Sequence, residues 1–322
     1  MEITINELIK KMREELEKNN NVPNTIFMKC QELVIKKNNP EHALALALSR
    51  LPGLDIQALG QVVINSKNPK LNLEFAKRVK NADIKAHAKV ILDSQISKAN
   101  FEFAKEVKGA DIKAHEQVVL DSKDPEINFM FVKEIKNADI AAHQKVILES
   151  RNPKENARFI YLITTSNTNK DIDLEPHIKV VLDSKDPEWN YFIVVHSLML
   201  DSTKKLITDY TPFTKVILES KDPIWNLKYA KLKNIYNLDI DLKKHEQVII
   251  DSKDPKANYE FAMSFPNEAD IISHWHVIKN CGEKYYVTKF KARFSSKIDS
   301  IDKLDEERTF EESLLNDNID LK

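Results

Sequence analysis

Histidine and serine recur seven residues apart along this chain, at His87 and Ser94, His115 and Ser122, His143 and Ser150, His177 and Ser184, and His245 and Ser252. A hydroxyl near an imidazole can begin nucleophilic catalysis, and a row of imidazoles can begin a metal site. Spacing argues against both. Seven residues make about two helical turns, so each pair shares a helix face but stands about 10.5 Å apart along it. A nucleophile and its base need contact near about 3 Å. No two histidines stand at i and i+4, and Leu59 and Phe213 fill the histidine column in two further units. An apolar packing slot tolerates those exchanges and a ligand set does not. The histidines are therefore read as structural, with no catalytic residue, no metal, no cofactor and no enzyme activity expected. Cys30 and Cys281 fall on the histidine and serine columns respectively and read as substitutions within the repeat.

A second polar column is stricter. Asn72, Asn100, Asn128, Asn156, Asn190, Asn226 and Asn258 each stand three residues after the proline position of a unit. Asparagine is a poor helix-interior residue, and this column shares a helical stripe with the aromatic residue three positions on. It should face the core, where a buried amide must find partners. The favoured reading is a structural ladder bonding the loop backbone of its own or the next unit; the other is a row that clamps an extended peptide. The ladder persists at Asn72 and Asn226, whose own units carry Leu59 and Phe213, so histidine is not taken as its obligatory partner.

What positions these columns is an internal repeat. Residues 115 to 128 read "HEQVVLDSKDPEIN" and residues 245 to 258 read "HEQVIIDSKDPKAN". Ser66, Ser94, Ser122 and Ser150 are 28 residues apart, and Ser184, Ser220 and Ser252 follow at 34, 36 and 32. Weaker units at Lys37 and Cys281 bring the total to nine. Each unit reads as two helices. The first opens at an aspartate four residues before the histidine column (Asp55, Asp83, Asp111, Asp139, Asp173, Asp209, Asp241, Asp270), where a carboxylate can cap free N–H groups. The second opens at "DP", a cap followed by proline at the first helical position. Helices this short are marginal alone, and stacking repeated pairs buries their apolar faces. The expected fold is all-α: an α-solenoid of about nine two-helix repeats. Residues 1–36 are assigned as N-terminal cap helices, 37–291 as the solenoid and 292–322 as a charged C-terminal segment, either a cap helix or a disordered acidic tail.

Composition sets the outer bounds. The 322 residues are 42% hydrophobic and include only 4 glycines, too few for a turn-rich β protein or phosphate-cradling loops. No apolar run reaches the roughly eighteen residues of a membrane span, and the first residues do not read as a signal peptide. The expected location is cytoplasmic, with no membrane partner. The net charge of −1 argues against a dedicated polyanion binder but can hide local patches.

The unit "ADIKAHEQVVLDSKDPEINFMFVKEIKN", Ala110 to Asn137, resembles the short helical repeats of uncharacterised proteins from low-GC bacteria and their mobile elements, and more broadly HEAT-like α-solenoids. The resemblance runs from about Lys37 to Lys291. It implies the fold and a protein-interaction role, and it carries no catalytic residue across.

Function is sought where the repeat deviates. Extra residues enter after Ile163, after His196 and around Lys233, and insertions in a solenoid gather on a binding edge. In two of those units the second position after proline becomes Trp189 and Trp225, which should be half exposed. Trp189 and Trp225, with Ile127 in the same column of a regular unit, are the candidate partner-binding residues. The expected function is a non-enzymatic scaffold that binds a macromolecule along a solenoid surface, a protein or peptide first. One alternative is nucleic-acid binding through the corner residues Lys67, Lys123, Arg151, Lys185, Lys221 and Lys253, weakened by acidic neighbours at all of these corners but that of Lys67. A mobile-element inhibitor of a host defence protein is a further alternative, implied by the resemblance alone.

Overall fold

The structure is a computed structural model that describes residues 14, 24–166, 172–200 and 206–299. The helix read over residues 1 to 22 and the acidic segment Ser300 to Lys322 lie outside these residues. Eighteen helices are described, and no strand occurs among the described residues.

They pair off into two compact units, Met1–Ile172 and Asp173–Lys322. The first holds five pairs: α1 (Asn24–Lys37) and α2 (Pro40–Leu48), α3 (Ile56–Asn65) and α4 (Pro69–Arg78), α5 (Ile84–Asp93) and α6 (Ser97–Glu106), α7 (Ile112–Asp121) and α8 (Pro125–Glu134), α9 (Ile140–Glu149) and α10 (Pro153–Thr165). The second holds four: α11 (Glu175–Asp183) and α12 (Pro187–Met199), α13 (Thr211–Glu219) and α14 (Pro223–Tyr236), α15 (Leu242–Ser252) and α16 (Pro255–Ser264), α17 (Ile271–Lys279) and α18 (284–299). Helix α1 is the first helix of the first pair, with buried Cys30 on the histidine column. At the other end α18 runs through residue 292 and buries Phe290, Phe294 and Ile298 against Trp275 and Ile278.

The corner between paired helices follows from its four residues. Ser122 ends α7: its Oγ donates to the Val119 carbonyl at 2.6 Å and accepts the Asp124 N–H at 3.2 Å. Lys123 takes the left-handed conformation, φ 54°. The Asp124 carboxylate accepts the N–H groups of Glu126 and Ile127 at 3.0 and 3.2 Å, and Pro125 follows as the first helical residue. The last corner keeps this geometry without serine, since the Cys281 Sγ accepts the Glu283 N–H at 3.3 Å.

First helices in the regular pairs are capped as their aspartates suggest, with Asp55, Asp83, Asp111 and Asp139 accepting the N–H three residues on. Asp173 and Asp209 differ. Three residues beyond them stand Pro176 and Pro212, which have no N–H to give. Each carboxylate instead takes the N–H two residues on, from Glu175 at 3.0 Å and Thr211 at 2.9 Å.

The extra residues expected as inserted connections are in part helix. Helices α10, α12 and α14 have 13, 13 and 14 residues where α4, α6 and α8 have 10. Residues 167–171 and 201–205 lie outside the described residues.

Candidate functional site

Within each unit the closest packing joins the second helix of one pair to the first helix of the next. The asparagine column lies at that joint, fully buried. The Asn72 Nδ2 donates to the Val63 carbonyl at 3.0 Å and to the Asn68 carbonyl at 2.8 Å, filling acceptors at the end of one helix and the start of the next. Asn128 does the same with Val119 and Asp124, and Asn258 with Ile249 and Asp254.

The amide oxygen is then free to accept from the following pair. The Nδ1 atoms of His87, His115 and His143 stand 2.7 Å from the Oδ1 atoms of Asn72, Asn100 and Asn128, and those of His245 and His274 stand 2.8 and 2.7 Å from Asn226 and Asn258. Both Nδ2 hydrogens are already given to carbonyls, so the oxygen accepts and Nδ1–H donates. The same imidazoles lie against an aromatic ring of the preceding pair: His87 on Phe75 with centroids 4.7 Å apart, His115 on Phe103 at 4.7 Å, His245 on Tyr229 at 5.3 Å. The asparagine, the aromatic and the histidine thus form one rung across each of these joints.

This corrects the argument that histidine is dispensable to the ladder because Asn72 and Asn226 persist beside Leu59 and Phe213. An asparagine's partner is the next pair's histidine, not its own pair's. Leu59 follows Ala43, which stands in the asparagine column and offers nothing to bond. Phe213 follows Asn190, and there the rung is broken: Asn190 Oδ1 is buried with no hydrogen-bond partner.

Two rungs carry an addition that the twin "HEQ" motifs announce. The Oε1 atoms of Glu116 and Glu246 accept the next pair's Asp139 and Asp270 N–H at 2.7 and 2.6 Å, and lie 3.2 Å from the Nε2 atoms of His143 and His274. With Nδ1–H committed to asparagine, a neutral imidazole and an ionised carboxylate meet there as two acceptors. The contact is a hydrogen bond only when the pair carries one more proton. In the other rungs the Nε2 atoms of His87, His115 and His245 have no partner. Burial drives His87, His115, His177 and His245 from 6.5 down to about 4, their nearby aspartates opposing weakly. His143 is also lowered by burial, against the raising effect of Glu116.

The tryptophan column is not uniform. Trp189 and Trp225 are half-buried, whereas Ile127 is only 8% exposed. Ile127 packs among Phe101, Ala104, Val119 and Phe131, so it is a core residue and offers no surface to a partner. Glu155, in the same column, is 2% exposed and holds Arg158 at 2.9 Å, whose guanidinium lies 4.2 Å over the Phe129 ring. The two tryptophans make separate ring contacts. Trp189 meets Phe192 of its own helix edge-on at 5.7 Å, and Trp225 meets Tyr191 of α12 at 5.5 Å with the Lys228 Nζ 3.7 Å from its ring centre. Tyr191 and Lys228 do not stand out in the sequence: Tyr191 falls in a column of apolar residues such as Leu73, Phe101 and Phe129, and the Lys228 column varies from Glu74 to Met130 and Phe192. Beyond α12 the chain is tied back, with the Ile207 N–H donating to the buried Ser197 Oγ at 3.0 Å.

No group of three histidine, cysteine, aspartate or glutamate side chains suited to a metal ion occurs among the described residues. None of their helices is long and apolar enough to cross a membrane. In comparisons with family models, curated proteins and solved structures, nothing matches this chain.

Proposed function

We propose that the chain is a non-enzymatic scaffold whose partner, a protein, docks on the second unit along the edge that carries Trp189 and Trp225. The observation behind this reading is that two successive pairs put a half-buried tryptophan, the largest side chain, in a column where other pairs bury Ile127, Glu155 or Ala257 or leave only the smaller Leu71 and Ala99 half-buried. Aromatic side chains with part of their area free are the usual anchors of protein interfaces. In the same two helices Ile224, next to Trp225, is 55% exposed, and Met199 and Ile235 near the far ends are 70 and 64% exposed. The Lys228 ammonium over Trp225 supplies a charge at the edge of that surface.

The test is the double change Trp189→Ala with Trp225→Ala, compared with Leu71→Ala in a regular pair, measured against a partner captured by the unaltered chain. Losing anchoring aromatics costs about 2 kcal/mol or more, a drop of roughly thirtyfold in affinity. Melting curves accompany the binding data. Unchanged affinity with a lowered melting temperature would mean that the tryptophans only roof the longer helices, and would sink the proposal.

A further inference from the structure

Helix α18 has a different outer face from every other described helix. Its inner stripe, Phe290, Phe294 and Ile298, is buried against Trp275, Ile278 and Ile271 and fixes its orientation. One position before each of these stand Lys289, Arg293 and Lys297, all exposed. They form an i, i+4, i+8 row with about 6 Å of rise between neighbours. Other helices use this spacing to pair opposite charges, as in Lys89 with Asp93, Lys145 with Glu149 and Lys215 with Glu219. Like charges at this spacing destabilise a helix, and no other described helix carries three cations in such a row.

Lys284, Lys289 and Arg293 have no ion-pair partner among the described residues, and Lys297 donates only to the Pro266 carbonyl at 3.0 Å. Over 284–299 there are five lysines and arginines and a single carboxylate, Asp299. Four residues before Lys289, on the same row, Tyr285 is 62% exposed; it meets Tyr286 edge-on at 5.3 Å, and Tyr286 meets Tyr259 at 5.5 Å. An aromatic platform followed by evenly spaced cations suits a strand of phosphates whose bases are unpaired, because bases stack on the ring while phosphates track the charges. A lipid surface suits it less, since the apolar face of α18 is spent on the core.

We infer that the outer face of α18, through Tyr285, Lys289, Arg293 and Lys297, is a contact surface for single-stranded nucleic acid. This surface stands independently of the tryptophan edge, and together they would let the chain join a protein partner to a nucleic acid. The probe is a short labelled single-stranded oligonucleotide added to the full chain between about 50 and 200 mM salt. Three to four phosphates engaged on a single strand give a log–log salt slope of about −2 to −3. Lys289→Ala with Arg293→Ala should reduce that slope by about 1 to 1.5. Tyr285→Ala should weaken binding about tenfold and leave the slope unchanged. All three positions are exposed, and circular dichroism checks that each variant is folded.

Binding absent at the lowest salt, or a slope unmoved by the paired alanines, overturns the inference. So does tighter binding to a duplex of the same length. Ser300 to Lys322 holds eight acidic and three basic residues and is the rival occupant within the chain. If the oligonucleotide binds only after Glu306, Glu307, Glu311 and Glu312 are changed to glutamine, the face belongs to that segment and the inference fails.

Discussion

The joint between α6 and α7 and the joint between α12 and α13 keep the same asparagine, although the corner before α6 reads Ser94-Gln95-Ile96-Ser97 and the one before α12 reads Ser184-Lys185-Asp186-Pro187, and they satisfy their polar groups differently. At the first, Asn100 Nδ2 fills the Ile91 and Ile96 carbonyls, its oxygen accepts from His115 Nδ1 at 2.7 Å, and Phe103 lies beside the imidazole. At the second, Asn190 fills the Val181 and Asp186 carbonyls in the same way, but Phe213 stands where a histidine would donate. A buried acceptor without a donor costs about 1–3 kcal/mol. The same region holds the longer second helices, the half-buried tryptophans and a pinned connection through Ser197. The asparagine's bonds within a pair serve the corner and persist in both joints; its bond across the joint serves stacking and is surrendered where the surface becomes irregular. The difference separates residues that make the unit from residues that make the stack.

Acid should invert the comparison. His87, His115 and His245 are neutral in the fold, with Nε2 buried and unpartnered, and burial holds them at about 4. Unfolded histidine binds its proton near about 6.5, so the unfolded chain takes up protons that the fold refuses. The stability from these neutral rungs is fully present above about pH 6.5. It falls as pH drops toward 4, with about 1.4 kcal/mol for each unit of separation in each histidine. Several kcal/mol should be lost from the α4–α5 and α6–α7 joints by pH 5, while at the α12–α13 joint Phe213 takes the histidine position and only His196 of α12, also lowered by burial, titrates. Hydrogen exchange at pH 7 and pH 5 reads this directly: protection in Ile84–Asp121 should fall more than protection in Thr211–Glu219. Equal loss would break the comparison.

Asparagine removal is the next largest effect. Asn128→Leu takes a partner from the Val119 and Asp124 carbonyls and from His143 Nδ1, and should cost about 2–4 kcal/mol in urea unfolding. Asn190→Leu removes the same two carbonyl bonds but also removes an orphan oxygen. It should cost about 1 kcal/mol less, and identical costs would mean that the cross-joint bond contributes nothing.

The smallest expected effect runs the other way. Phe213→His supplies the missing donor to Asn190 at the price of apolar volume, and should stabilise the second unit by about 1 kcal/mol at pH 7. The gain should disappear on acidification, because the new imidazole then becomes one more group that the fold holds neutral. A loss of stability at pH 7 would show that the apolar burial given up with the phenylalanine outweighs the new bond to Asn190.

Much of this was legible without coordinates. Repetition located nine corners, and the order of serine, lysine, aspartate and proline is enough to specify one, because each residue answers a demand of the two helix ends it joins. The asparagine column was legible as buried and polar for the same local reason: its two carbonyl partners lie nine and four residues before it. The tryptophans stood out as a break in a column. Ile127 shows the limit of that argument, since whether a column position is covered depends on the length and side chains of the neighbouring helix. Glu116 and Glu246 were in plain view inside the repeated fourteen residues, yet their partners lie 23 to 28 residues away.

The sequence by itself determined the repeating pair of helices, its caps and its corner, because these depend on hydrogen bonds that close within about ten residues. The pairing of asparagine with the next pair's histidine, the broken rung at Asn190, the approach of glutamate to imidazole, and the exposure of the cation row on α18 were decided by tertiary structure. Each of these turns on which side chains meet across a joint or are left without a neighbour, and the spacing of residues along one helix carries no record of the helix that packs against it.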